Sequence, residues 1–348
     1  MHLLLVGLNH RTAPLDIRER VAVGREEIPA CLASLRAGGA VEAALLSTCN
    51  RTEVYVAAPE AGTTLAASEA FLVRRARRDL GGHLYRLVDE DAARHAFRVA
   101  AGLDSMILGE DQILGQVREA LALAEAGGGA GPLLSRLLQA AVRSGKRVRS
   151  ETAIAQGAAS VSYAAVELAR RIFGELDGRR VLLVGAGKMG ELAVRNLVAQ
   201  GAREILVMSR SGERAARLAG GFPGGRVRAA ALSELPQRLA EVDIVITAAA
   251  GPSHILRAST VAEAVARRRG RPLLVVDVGV PRNVEPLAGE LEGVFLYNID
   301  DLQQVVEANV ARRAVHVAAA EAIVEEELAR FMTWFREREA APVVTALR

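Results

Sequence analysis

The sequence predicts an α/β chain of more than one domain: a mixed α+β N-terminal domain, a doubly wound parallel-sheet domain, and a long C-terminal helix. Three observations carry this. A chain of 348 residues exceeds what one ordinary core organises. Strands separated by helical spacers follow the buried-type strand Arg180–Val184, the pattern of right-handed crossovers in a parallel sheet. Beyond Gly293 there is no glycine, and no proline stands between Pro286 and Pro342, while apolar residues recur at helical intervals.

Composition narrows the class. The chain is 51% hydrophobic and 24% charged, a globular balance that excludes wholesale disorder. No apolar run reaches the ~18 residues of a membrane span. The opening MHLLLVGLNHRTAP lacks a basic leader and a cleavage site, so it reads as a strand, and a cytoplasmic protein is expected. Two cysteines cannot make a disulfide framework, and neither has metal-type spacing with histidine, so no metal is expected. The net charge of +3 permits a nucleic-acid partner without demanding one.

In chain order, His2–Leu8 is a strand, and Ile17–Leu35 has helical spacing interrupted near Gly24. Val41–Ser47 and Val54–Ala58 are strands around the polar segment Thr48–Glu53. Asp89 to about Gly174 is almost wholly helical, with loops at Gly102–Gly109 and Gly127–Pro132. The strands Arg180–Val184, Glu204–Met208, Asp243–Ala248, Leu273–Asp277 and Val294–Tyr297 build the parallel sheet. Val305, Val306, Val310, Val317, Ile323, Val324, Leu328, Phe331 and Phe335 mark the last helix, about 60 Å for roughly 40 residues. A rod of that length is expected to connect domains or subunits; the plainer reading is a helix laid flat on the sheet domain. The expected boundaries are 1–150, 151–298 and 299–348.

Gly185-Ala186-Gly187-Lys188-Met189-Gly190 directly follows a buried strand and opens a helix. That context makes GxGxxG a dinucleotide loop of the Rossmann type: the first glycine turns, the second admits the pyrophosphate, the third lets helix and strand close. The helix N-terminus offers free N–H groups to the phosphates. The second strand ends at Ser209-Arg210, with Arg214 one turn on, where an acidic residue would select NAD. Serine and arginine suit a 2′-phosphate, so NADPH is expected.

Cys31 reads as a small core residue. Cys49, in the polar knot Ser47-Thr48-Cys49-Asn50-Arg51-Thr52-Glu53, is either structural or a nucleophile whose thiol pKa is lowered by the neighbouring arginine. A second polar cluster, Gly102 to Gln116, holds Asp104, Ser105, Glu110, Asp111, Gln112 and Gln116 among glycines and apolar residues. Helix capping by Asp104, Glu110 and Asp111 is its plain alternative. His95 on the preceding helix is by default a satisfied or surface histidine.

These segments together resemble the glutamyl-tRNA reductase family over nearly the whole chain. The matching motifs, in order, are Gly7-Leu8-Asn9-His10-Arg11-Thr12-Ala13-Pro14, STCNRTEVY at Ser47–Tyr55, GLDSMILGEDQILGQV at Gly102–Val117, Lys146-Arg147-Val148-Arg149, the Gly185–Gly190 loop, Val275–Arg282 and Tyr297–Leu302. The resemblance implies that Cys49 attacks the ester between glutamate and the tRNA's terminal ribose, releasing tRNA and leaving a thioester. NADPH then reduces that thioester to glutamate-1-semialdehyde, the first step of five-carbon tetrapyrrole synthesis. Thr48, Asn50 and Arg51 match substrate-binding positions, as do Ser105, Glu110, Asp111, Gln112 and Gln116. Arg51 is suited to hold the glutamate side-chain carboxylate and the acidic residues to receive the α-ammonium. His95 matches a position used near the reaction centre.

The resemblance further implies glutamyl-tRNA as partner, handover of the aldehyde to an aminomutase, and a homodimer in the full-length family. Here the chain stops at Arg348, soon after Phe331-Met332-Thr333-Trp334-Phe335, so its own dimerisation is left open and Trp334 and Phe335 are expected to lose packing surface. The thiol and the glycine loop are about 135 residues apart, so domain motion is expected to join them. Two basic stretches are candidate tRNA contacts or solvated faces: Arg136, Arg143, Lys146, Arg147 and Arg149, and Arg74, Arg75, Arg77 and Arg78. A semialdehyde dehydrogenase with a tRNA-independent acyl donor, and a non-enzymatic NADPH-sensing RNA-binding protein, are the rival readings.

Overall fold

Helices on both faces of a small antiparallel sheet make the first of two compact units seen in a computed structural model, which describes residues 1–152, 154, 161–249, 251, 254–302 and 314–346. That unit comprises Met1–Ala158 with Asn309–Arg348; the second is Ala159–Ala308. Strands β1 (His2–Asn9), β2 (Glu42–Ser47), β3 (Arg51–Ala58) and β4 (Tyr85–Val88) lie in the order β2-β3-β1-β4, every pair antiparallel. Consecutive residues Leu3–Val6 are fully buried, which requires cover on both faces and explains a continuous apolar run in an antiparallel strand. The cover comes from α1 (Leu15–Val21), α2 (Ile28–Ala37), α3 (Ala61–Ala76), α4 (Glu90–Ala100), α5 (Asp111–Ala126) and α6 (Pro132–Glu151). The interruption expected near Gly24 is a single 3-10 turn, Arg25–Glu27, between α1 and α2.

Strand β3 begins at Arg51, three residues before its apolar pattern starts, because Arg51, Thr52 and Glu53 pair with Asn9, Leu8 and Gly7 of β1. The polar knot therefore contracts to a tight connection, Thr48–Asn50, between β2 and β3. Buried Glu42 accepts the N–H groups of Leu133 and Leu134 at 3.1 and 2.7 Å, satisfying the start of α6, which Pro132 opens. Helix α6 also crosses α4 closely: a Cβ on Gly145 would fall 2.4 Å from the carbonyl oxygen of Ala100.

The second unit contains α7 (Val161–Phe173), β5 (Arg180–Val184), α8 (Lys188–Ala199), β6 (Glu204–Met208), α9 (Gly212–Gly220), β7 (Val227–Ala230), α10 (Leu235–Arg238), β8 (Ile244–Thr247), α11 (Ala258–Ala266), β9 (Leu273–Asp277) and β10 (Val294–Asn298). Its sheet runs β10-β9-β8-β5-β6-β7, all parallel. This is the doubly wound order, with its switch point where β5 lies between β6 and β8. Strand β7 is half exposed and lacks the apolar run by which the other parallel strands are recognised.

The last helix, α12 (Ala314–Ala346), packs on α4 and α6 of the first unit. Over its described length it lies on helices of the first unit and not on the parallel-sheet domain of the plainer expectation; Val305, Val306 and Val310 lie outside the described residues. Phe331 meets Phe97, Trp334 and Phe335 at 6.1, 5.6 and 6.1 Å between ring centroids. Phe335 is only 4% exposed, and Arg136 covers Trp334 at 5.5 Å, so the expected loss of packing at these aromatics is not seen. Among the described residues no helix is long and apolar enough to cross a membrane.

Candidate active site

The β2–β3 connection is pinned from every direction. Thr48 Oγ1 accepts the N–H groups of Asn50 and Arg51 at 3.1 and 3.2 Å, the Thr48 N–H donates to Arg51 O at 2.8 Å, and the His10 N–H donates to Asn50 O at 2.9 Å. From α1, Arg18 Nη1 donates to Cys49 O at 2.9 Å and Asn50 Oδ1 at 3.3 Å. Cys49 is half-buried at the tip, whereas Cys31 is buried in the core, as its apolar setting predicted.

Behind the knot, alternation along β3 puts Arg51, Glu53 and Tyr55 on one face. Arg51 Nη1 donates to Glu53 Oε1 at 2.7 Å and Asp104 Oδ2 at 3.0 Å, and Nη2 donates to the carbonyl and carboxylate of Asp104. Glu53 also accepts from Tyr55, Tyr85 and His95 Nε2 at 2.6, 2.6 and 2.7 Å. Glu53, Gly7 and Tyr85 form one row across β3, β1 and β4, and Gly7 keeps it open: a Cβ there would lie 2.8 Å from Glu53 Cγ. Asp104 further accepts from Asn9 Nδ2 at 3.2 Å and Arg11 Nη1 at 2.8 Å.

Burial alone would raise the Glu53 pKa, but Arg51, His95 and Tyr55 together hold it well below the usual carboxylate range. Burial likewise works against the Arg51 charge, and Glu53 and Asp104 outweigh it. Burial and the neighbouring Arg51 and Arg11 lower His10 to about 4, keeping its imidazole neutral, and its buried Nδ1 has no hydrogen-bond partner among the described residues.

Two expectations need correction. The lowered pKa that one of the two readings of Cys49 supposed is not what the turn gives: burial first, then the Glu110 carboxylate, push the thiol up to about 12 against the pull of Arg18 and Arg51. The guanidinium of Arg51, cast as the clamp on a substrate carboxylate, is 1% exposed and directs its terminal nitrogens at Glu53 and Asp104.

The second polar cluster closes on itself through glycines. Gly102 and Gly109 have φ of +74° and +76°, and the Gly109 N–H donates to Gly102 O at 3.0 Å. Ser105 and Gln112 are buried, and Ser105 Oγ and Gln112 Nε2 have no partner among the described residues. Unmatched buried donors of this kind suit a ligand's oxygens. Glu110 stands at the N-cap of α5 without a side-chain capping bond, and its carbonyl accepts from Arg149 Nη2 at 2.7 Å, so capping does not account for its side chain. Gln116 and Ser47 line a cavity of about 160 Å³. The Asp111 side chain lies outside the described residues. Sequence spacing missed Arg18, Tyr85 and Asn9, whose partners lie 31 to 95 residues away.

In the second unit, Gly185 has φ of +123°, and a Cβ there would lie 2.6 Å from Ala248. A Cβ on Gly190 would strike Gly185 O at 2.2 Å, while one on Gly187 would meet nothing within 4 Å. Turn, open approach and tight packing thus fall on the first, second and third glycine in the expected sequence. Gly187 begins α8 without a side-chain cap, leaving N–H groups for an anion. Ser209 follows β6, exposed Arg210 lies near Gly251, and Arg214 occupies the first turn of α9, its N–H donating to Ser211 Oγ. These residues fit a dinucleotide phosphate. Among the described residues no cluster of His, Cys, Asp and Glu is arranged to hold a metal.

Residues 6–152 match the family described as glutamyl-tRNAGlu reductase, N-terminal domain; 167–305 match shikimate / quinate 5-dehydrogenase, and 319–348 match glutamyl-tRNAGlu reductase, dimerisation domain. The second unit is therefore a dehydrogenase-type Rossmann domain. The chain is 48% identical to a protein named glutamyl-tRNA reductase from Moorella thermoacetica and 46% identical to one from Syntrophotalea carbinolica, covering 100% of this chain and 79% of each relative. It is also similar to the solved structure of glutamyl-tRNA reductase from Methanopyrus kandleri, at 34% identity and a TM-score of 0.55, covering 99% of this chain and 82% of that one.

Proposed function

The chain belongs to the glutamyl-tRNA reductase family, and from that premise we infer that it reduces glutamyl-tRNA to glutamate-1-semialdehyde through a thioester on Cys49, the first step of tetrapyrrole synthesis. The observation that carries the reading is a thiol on a pinned turn in the same unit as buried Ser105 Oγ and Gln112 Nε2, which have no hydrogen-bond partner among the described residues. Attack of the Cys49 sulfur on the ester carbonyl forms the S–C bond, breaks the bond to the ribose oxygen, and releases tRNA with its hydroxyl reprotonated. A carboxylate is a poor hydride acceptor, whereas a thioester carbonyl is electrophilic and its thiolate leaves readily. NADPH, when bound on the Gly185–Gly190 loop with its 2′-phosphate at Ser209, Arg210 and Arg214, is the source of the hydride.

The raised thiol pKa gives Glu110 a specific part. Its carboxylate is the charged neighbour that most strongly disfavours thiolate. A substrate α-ammonium paired with Glu110 cancels that charge, so the thiol becomes easier to ionise once glutamate is seated. Ser105, Gln112 and Gln116 take the substrate's oxygens, and Thr48 and Asn50 hold the turn. Arg51, held by Glu53 and Asp104, braces the buried floor beneath the turn. His95, fixed through Nε2 on Glu53, orients the buried acid beneath the site. Most of the long helix lies within the residues that match a dimerisation domain, and we infer a homodimer and handover of the reactive aldehyde to an aminomutase.

The test mixes the protein with glutamyl-tRNA labelled in its glutamate, first without NADPH and then with it. The expected result is covalent label on the wild type, none on Cys49→Ser, and discharge as aldehyde when NADPH is added. Folded wild type that takes no label and yields no aldehyde would overturn the reading.

A further inference from the structure

We propose that Arg18 is the positioning residue of the cysteine turn: its guanidinium, brought in by α1, fixes the Cys49 carbonyl and the Asn50 amide and sets a fixed positive charge against the nucleophile. The proposal rests on Cys49 acting as nucleophile.

Helix α1 has only seven residues, and its buried face consists of Leu15, Ile17, Arg18 and Val21. An arginine that is 2% exposed on such a face costs desolvation free energy that an aliphatic residue would not, and it is tolerated only where its donors are used. Here Nη1 is used on the turn, at 2.9 Å from Cys49 O and 3.3 Å from Asn50 Oδ1. The Thr48 hydroxyl and the His10 N–H hold the same turn without charge, at its main-chain N–H and C=O groups. Arg18 is thus the charged side chain that grips the cysteine residue itself.

The charged groups acting on Cys49 come from three elements: Glu110 from the segment before α5, Arg18 from α1, and Arg51 from β3; His10 on the β1–α1 connection is neutral. Glu110 opposes the thiolate and the two arginines favour it, Arg18 more than Arg51. Arg51 is held by Glu53 and Asp104, which spend its charge on the buried network. The geometry therefore gives Arg18 two consequences, a fixed direction for the sulfur and a larger thiolate fraction.

The experiment uses the full chain in a Cys31→Ser background, so that Cys49 is the single thiol, and measures its alkylation by iodoacetamide from pH 7 to 10 together with kcat and KM on glutamyl-tRNA. Arg18→Met is expected to slow alkylation about tenfold at each pH, one pKa unit in the thiol, and to lower kcat with little change in KM. A purely structural loosening would act in the opposite direction: an exposed thiol returns toward its ordinary pKa and reacts faster. Alkylation as fast as or faster than the parent would overturn the proposal. Arg18→Lys keeps the charge and loses the fork, so alkylation is expected within about threefold of the parent while kcat falls about tenfold. If Arg18→Met does not fold, Arg18→Lys decides alone, and an unchanged kcat overturns the proposal. Wild type that takes no glutamyl label would retire the reductase reading and leave the alkylation comparison standing.

Discussion

The two working loops of this protein are held by opposite means. Thr48–Asn50 is fixed by Arg18 from α1 and by the hydroxyl of Thr48 itself, in front of a charged network of Arg11, Arg51, Glu53 and Asp104. Gly185–Gly190 is fixed by the absence of side chains, through contacts with Ala248 and of Gly190 with the Gly185 carbonyl. Where reactivity must be tuned, charge and burial are spent; where a large cofactor must lie against the backbone, room is made. Damage should therefore spread differently from the two sites.

The largest effect is expected at Glu53. Glu53→Gln leaves buried Arg51 with Asp104 as its remaining carboxylate and should cost about 3 kcal/mol, read by denaturant unfolding. Because the Glu53 pKa in the fold is held below an ordinary glutamate near 4.5, its contribution is complete above that pH and is lost as pH falls through the lowered value. The variant should accordingly show a flatter acid limb below about pH 4.5. Stability within error of wild type would contradict the charge-held description of the first site.

An intermediate effect is expected at the third glycine. Gly190→Ala should weaken NADPH binding by about tenfold or more through the forced shift of Gly185, roughly 1.4 kcal/mol, while covalent labelling of Cys49 by glutamyl-tRNA proceeds as before. Gly187→Ala, with nothing near its Cβ, should leave the melting temperature unchanged and act on cofactor alone. Loss of labelling in either variant would mean that the two loops are not independent. The smallest effect belongs to Arg210→Ala, which should narrow the preference for NADPH over NADH by about tenfold, one charged hydrogen bond, with kcat on saturating cofactor preserved.

How far each loop could be read in advance follows from the same contrast. The glycine loop is local: strand, three glycines and helix within eleven residues, each with a steric role that spacing conveys. The cysteine turn was recognisable as polar, but its physics is assembled from residues far apart in the chain. Arg18 carries no signal beyond being an arginine on an apolar face, and Tyr85 reaches Glu53 only because Gly7, on the strand between them, has no side chain. Arg51 looked like a substrate clamp because its partners Glu53 and Asp104 were not known to converge on it. The thiol pKa lies above its ordinary value first because the fold buries Cys49, which its polar neighbours in sequence do not announce, and second because Glu110 stands 61 residues on. The strands β4 and β7, half exposed, had no apolar run to give them away.

The helix α12 lays a strip of carboxylates over the basic side of its neighbours. Glu321 pairs with Arg98, Glu325 with Arg94, and Glu326 and Glu327 with Arg147. Arg75 and Arg149 are likewise engaged, by Glu27 and by the Glu110 carbonyl. The protein thus carries an internal polyanion that occupies part of its basic surface before any RNA arrives. Only side chains still free to reach phosphates displace the counterions condensed on RNA, so the ionic-strength dependence of RNA binding should count exposed residues such as Arg74, Arg77, Arg143 and Lys146, not the full set of basic residues on these helices.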